Sequence, residues 1–370
     1  MAITRLGPNQ DITAAKIAGQ INFKNLIING DMSIAQRGTS EASKGADAGY
    51  FTVDRMYYFE NGTTDVRFTQ SQSTDVPSGQ GFATSLKFDC TTADTSLAVD
   101  NQLVLKHRLE GQNLQQIKFG TSSAESLTLS FWIKSTKTGT FIVELSREGS
   151  RKISKSYTVS SSDTWEKKTL TFSADTGGSA LSNDNSNRLE VNMYMGVGTN
   201  YSSGTLNTSW SVPSNTDRAV GQVNAFDSTS NNILFTGLQL EVGTSASDFE
   251  FLPVDVNLGR CQRYYYQHVT IGYSKTVGIG YYYNASDIRT SIQFPTTMRT
   301  NPSLVEGTGT NAFYFERDNG SDYFNGWTAL IRQTENTATL YVTGQSGTQG
   351  SAGTIYVDNN LGKIGFDAEL

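Results

Sequence analysis

The 370-residue chain exceeds the usual length of one domain, so two domains are expected. Only 17% of its residues are charged, the net charge is −6 and no run of lysine or arginine occurs, which excludes a phosphate-binding surface of the nucleic-acid kind. Nothing approaches the roughly 18 apolar residues of a membrane-spanning helix, and 11% aromatics exclude a disordered chain.

The 35 glycines against 6 prolines, with 17 tyrosines and 19 phenylalanines, favour short β-strands joined by glycine turns. Residues 1–24 are unlike the rest. Asp11 can cap, and Gly19 can end, one or two helical turns over 11–19, and the opening residues do not form a secretory leader. Ile12, Ile17, Ile21 and Phe23 are too apolar for a solvated tail, so this segment reads as a docking peg that orders on a partner or within an oligomer. The alternative is a frayed terminus.

Residues 25–256 read as an antiparallel β-sandwich. Leu127, Leu129, Phe131 and Ile133 alternate with polar neighbours and share one face, as do Leu86, Phe88 and Cys90 in another run. The same period recurs over 141–145, 165–172 and 189–195, with turn signals such as Lys137-Thr138-Gly139 and Thr176-Gly177-Gly178 between the runs. Residues 107–116 suit either a strand with a turn or a short helix. The polar stretch 200–230 reads as a long surface excursion, either a binding loop or inert padding between strands.

Residues 257–370 open on Tyr264-Tyr265-Tyr266 and restart the β pattern, with candidate strands over 274–283, 289–294, 303–306, 312–315, 328–333, 337–342, 353–357 and 363–369. This predicts a second, smaller antiparallel β domain. Cys90 and Cys261 lie far apart in apolar settings, without CxxC spacing, and are expected to be free buried thiols, as in a reducing cytoplasm.

Four pieces together resemble modules of bacteriophage tail-fibre and tail-tip proteins, related in shape to carbohydrate-binding jelly rolls. They are 25–39 (NLIINGDMSIAQRGT), Leu109-Glu110-Gly111 with 127–133, Leu238-Gln239-Leu240-Glu241-Val242-Gly243 with Phe249-Glu250, and Cys261-Gln262-Arg263-Tyr264-Tyr265. Phe294-Pro295, Met298-Arg299 and Ala368-Glu369-Leu370 extend the resemblance to the last residues. It implies a jelly roll followed by a small β domain, assembly as a homotrimer, docking of the N-terminal segment on another virion protein, and attachment to a host-surface glycan. The chain departs from the long fibres in having no repetitive shaft before the sandwich. A head decoration, head fibre or tail adaptor without receptor binding is the rival.

No motif places His107 or His268 beside a nucleophile, and no Gly-x-Ser-x-Gly, HExxH or phosphate loop occurs, so no catalysis and no cofactor are expected. If the core face of 127–133 is as assigned, Trp132 points outward. Asn192 and Tyr194 alternate outward from 189–195, with Glu144 nearby, so Trp132, Tyr194, Asn192 and Glu144 form a candidate sugar-binding face; the alternative is that a loop or protomer covers it. Trp165 sits at a turn and reads as packing. Tyr264, Tyr265, Tyr266, Tyr281, Tyr282 and Tyr283 would make both faces of their strands aromatic, which suits an oligomer or inter-domain interface, with a ligand platform as the alternative. Asp31 and Glu241 near the two ends of the sandwich are too few to assign a metal.

Overall fold

The computed structural model describes residues 23–318, 320–358 and 360–370. The first module contains twelve strands: β1 (Ser40–Lys44), β2 (Gly49–Tyr50), β3 (Tyr57–Asn61), β4 (Arg67–Ser73), β5 (Ser85–Thr92), β6 (Gln102–Glu110), β7 (Leu127–Ser135), β8 (Gly139–Arg147), β9 (Lys152–Val159), β10 (Glu166–Phe172), β11 (Asn187–Val197) and β12 (Asn232–Val242). They form two six-stranded antiparallel sheets, β1-β4-β5-β12-β7-β10 and β2-β3-β6-β11-β8-β9. Within them β5-β12-β7-β10 faces β6-β11-β8-β9, which is the jelly-roll order.

Alternation decides which side chains meet between the sheets. Leu127, Leu129, Phe131 and Ile133 of β7 and Leu189, Val191, Met193 and Met195 of β11 are buried in one core with Phe68, Leu86 and Phe88. The segment 107–116 resolves as the end of β6 followed by single 3-10 turns over Gly111–Asn113 and Gln115–Ile117.

Helix α1 (Val254–Gln262) follows, immediately before the tyrosine run, in a stretch for which the sequence predicts no helix. Asp255 in its first turn and Arg260 in its last suit the helix dipole, and Cys261 packs with Tyr264 on Ile28 and Ile34. The second module then adds β13 (Tyr265–Val269), β14 (Lys275–Tyr282), β15 (Ile288–Gln293), β16 (Ser303–Gly307), β17 (Phe313–Arg317), β18 (Gly320–Phe324), β19 (Ala329–Ile331), β20 (Thr337–Val342), β21 (Ala352–Val357) and β22 (Lys363–Asp367). A three-stranded sheet, β13-β22-β16, and a seven-stranded sheet, β18-β17-β21-β14-β15-β20-β19, enclose a separate core around Phe313, Phe315, Ile355 and Phe366. The fold of the described residues is all-β, with helix α1 joining the two cores.

The modules meet through charge and aromatic rings. Arg55 lies on Tyr264 with its guanidinium carbon 3.5 Å from the ring centroid and pairs with Glu369. Arg37 lies 3.6 Å from the Tyr265 centroid and reaches Asp367 at 3.1 Å and Glu369 at 3.4 Å. Arg263 pairs with buried Glu110 at 2.8 Å, and Arg299 donates to the Ala368 and Glu369 carbonyls at 2.7 Å.

Candidate functional site

The predicted sugar-binding group does not assemble. Trp132 lies on β7, in one sheet, whereas Glu144 and the pair Asn192 and Tyr194 lie on β8 and β11, in the other. The two sheets turn their outer faces in opposite directions, so the four side chains share no surface. Glu144, Asn192 and Tyr194 are also fully buried. The excursion 200–230 is neither a free binding loop nor padding: it folds over β8 and β11, laying Ala219 and Leu206 on Tyr194. Arg218 grips Glu144 through two bonds of 2.9 and 2.8 Å, and Asn192 donates to the same carboxylate at 3.2 Å. These residues hold a cover in place.

Trp132 does reach the surface, in other company. On the outer face of its sheet, a cleft of about 190 Å³ is lined by Gly79, Gln80, Phe82, Ser130, Trp132, Lys167, Asp248, Phe249 and Phe251. Lys167 stands directly across the β7–β10 ladder from Trp132. Phe82, Phe249 and Phe251 form a three-ring cluster with centroids 4.8–5.1 Å apart, and Phe251 is 49% exposed. The side chains of Gln80, Ser130, Lys167 and Asp248 make no hydrogen bond to any other described residue. The cleft therefore joins flat apolar rings to unspent donors and acceptors.

Two loops build this cleft. The connection 74–84 from β4 to β5 crosses the sheet and sets Phe82 over β12. There Gly237 sits at a bulge with φ +63°, and a Cβ on it would fall 2.6 Å from the Phe82 ring. The segment after β12 forms the other wall. Ser247 donates from N–H and Oγ to Glu241, the Glu250 N–H donates to Gln239 Oε1 at 2.8 Å, and Glu250 accepts the Asn25 N–H at 3.0 Å. Asp248 and Phe249 are fixed between these bonds, and Phe251 follows directly after them.

No family model and no curated protein matches this chain. Among solved structures it is similar to the enzymatically active domain of tailspike protein 4 of bacteriophage CBA120, at 14% identity and TM-score 0.31, over 59% of this chain but only 21% of that one. It is also similar to the module TmCBM61 in complex with β-1,4-galactotriose, at 11% identity and TM-score 0.28, over 59% of this chain and 98% of that one. A third is the CBM22-1–GH10 portion of xylanase 10B of Clostridium thermocellum with xylohexaose, at 10% identity and TM-score 0.29, over 60% of this chain and 29% of that one. At these values they assign this chain no ligand.

The tyrosine runs divide. Tyr264 and Tyr265 are buried at the junction between the modules, under Arg55 and Arg37. Tyr266 instead packs within the second module, stacked on Phe366, and its hydroxyl lies 3.0 Å from His268 Nδ1. Tyr282 is in the second core, while Tyr281 and Tyr283 are 40% and 45% exposed, away from the junction. Of the expected oligomer or inter-domain interface, 281–283 take no part in the inter-domain junction, because strand alternation sends Tyr282 into its own core and its neighbours to solvent.

Ile12, Ile17 and Ile21 lie outside the described residues, and Phe23 is 56% exposed. His107 is buried, its Nε2 accepting the Ile28 N–H at 3.2 Å, and burial next to Arg55 holds it well below the ordinary histidine range. His268, half-buried and also lowered by burial, bonds the Val277 carbonyl at 2.7 Å. Neither faces a nucleophile. Glu241 is committed to Ser247 and Gln239, and Asp31 accepts from Asn257 at 3.2 Å, so the two carboxylates are spent apart. Both cysteines are free and buried, and among the described residues no helix is long and apolar enough to cross a membrane.

Proposed function

We propose that this chain binds a surface glycan, without catalysis, through the cleft between Trp132 and the Phe82–Phe249–Phe251 cluster. The supporting observation is the pairing of exposed Phe251 and half-buried Trp132 and Phe249 with the side chains of Gln80, Ser130, Lys167 and Asp248, none of which is hydrogen-bonded to another described residue. The apolar face of a pyranose stacks on aromatic carbon, and its hydroxyls need donors and acceptors at the rim. At about 190 Å³ the cleft is smaller than the ~300–1,000 Å³ pockets of drug-sized ligands, which suits a single sugar ring. The sequence resemblance to phage tail modules supports the wider setting: a virion appendage protein acting in host attachment as a homotrimer docked through its N-terminal segment. Linked copies would turn weak single-site affinity into firm attachment.

A glycan array followed by host-adsorption competition tests this. W132A should lose array binding at least tenfold and stop competing, with its circular dichroism unchanged. Saturable virion binding with no glycan signal would instead favour a purely structural adaptor. Release of oligosaccharide from host polysaccharide would overturn the non-catalytic reading.

A further inference from the structure

The cleft has a neighbour on the same face. β7 and β10 pair in register with Lys167 opposite Trp132, and Lys134 follows Trp132 two residues along β7 on the same side of the sheet. Trp165 precedes Lys167 by two residues, so its ring emerges from the same face, roughly 7 Å along the strand. Its indole N–H donates to Asp75 Oδ1 at 2.9 Å, and the other oxygen of Asp75 accepts from Lys134 at 2.8 Å. Lys134 also pairs with Asp163 at 3.1 Å, and Asp163 is exposed. Asp75 thus fixes the Trp165 ring while leaving it half-buried, beside an open carboxylate. A ring held in one orientation by a side-chain bond, with a face still toward solvent, is preorganised for a flat ligand.

The loop 74–84 ties the two places together, because Asp75 stands at the Trp165 end and Gln80 and Phe82 stand in the cleft. From these positions we infer that Trp165, with Asp75 and Asp163, forms a second sugar subsite continuous with the cleft, and that the ligand is a neutral glycan chain of at least two residues. This rests on the cleft reading given above. Trp132 and Trp165 stand on one face of neighbouring strands, diagonal across the β7–β10 ladder, so one extended chain can cross both rings. The charge balance favours the class: Lys24, Lys87, Lys134 and Lys167 are balanced by Asp75, Asp89, Asp163 and Asp248, so the strip offers no net positive charge to recruit uronate or sulfated chains.

Titration calorimetry of the full chain with neutral gluco-, galacto-, manno- and xylo-oligosaccharides of one to six residues tests it. W165A should weaken binding of chains of two or more residues about tenfold and leave the monosaccharide unchanged, while W132A abolishes both. W165F, which keeps a ring but loses the bond to Asp75, should fall between W165A and the parent. Equal affinity of W165A and the parent for every chain length, with W132A inactive, would overturn the second subsite and leave the cleft standing. Undiminished binding by W132A would overturn both, as would no binding of any chain at millimolar concentration. Tighter binding of heparin or polygalacturonate than of any neutral chain would overturn the assigned class.

Discussion

Arg55 and Glu369 are each other's charge partner although they stand 314 residues apart, one in each module. Arg55 is completely buried and Glu369 nearly so, and the guanidinium also donates to the Arg108 carbonyl at 2.7 Å. Removing one member of such a pair leaves a desolvated charge behind, whereas removing both can be close to neutral. E369A should therefore cost about 3–5 kcal/mol in urea denaturation, with the first module losing its single cooperative transition with the second. R55M/E369M should recover most of the loss. A midpoint unchanged in E369A would show that the modules are held together by other contacts.

Acid should stabilise the protein at the same junction. Burial raises Asp54 from 3.8 to about 7, against the lowering effects of Arg37 and Gln36. Between about pH 4 and 7 the folded chain keeps a proton that the unfolded chain has released. That contribution to stability is complete at the acid end, falls as pH rises and is gone above about 7, amounting to at most about 4 kcal/mol. D54N should remove this slope from the pH dependence of the melting temperature. A slope of the same size in D54N would assign it to another group.

The cover over β8 and β11 and the cleft on the opposite sheet should respond independently. R218A strands the fully buried Glu144 and should destabilise the first module by roughly 3 kcal/mol. Glycan affinity of the folded fraction should not change, since Trp132 belongs to the other sheet. Loss of affinity in folded R218A would place part of the ligand on the covered face.

Gly237 should control the cleft without touching ligand. G237A must hold a Cβ at φ +63° and push against Phe82, costing about 1–3 kcal/mol. Since Phe82 carries Phe249 and Phe251, glycan affinity should fall severalfold along with stability. F82L should repeat the loss of affinity without the backbone strain. Full affinity in both variants would remove the phenylalanine cluster from the site.

Much of this architecture could be read from alternation alone. The inward faces of β7 and β11 follow directly from 127–133 and 189–195, and the jelly roll with its smaller β partner agrees with the resemblance of 25–39 and 238–250. Sheet membership could not be read, because alternation says which way a side chain points on its own strand but not which strand lies beside it. Alternation alone therefore puts Trp132 and Tyr194 on one face, although they belong to different sheets. Helix α1 was hidden by its weak apolar pattern over Val254, Leu258 and Cys261, next to a louder tyrosine run. The remaining cleft residues come from two loops whose paths are set by Gly237 and Glu241. Their only local traces are Gln80 between two glycines and the pair Phe249 and Phe251.

β12 lies between β5 and β7, strands that precede it by about a hundred residues or more. On the ribosome, then, the sandwich cannot close until its twelfth strand has emerged, and long-range pairing of this kind is slow. Even afterwards, Arg37 and Arg55 wait for Asp367 and Glu369, which follow them by 330 and 314 residues. A nascent chain cut short anywhere in the second module would carry two arginines with no counter-charge from it. Incomplete copies should consequently be marked for proteolysis.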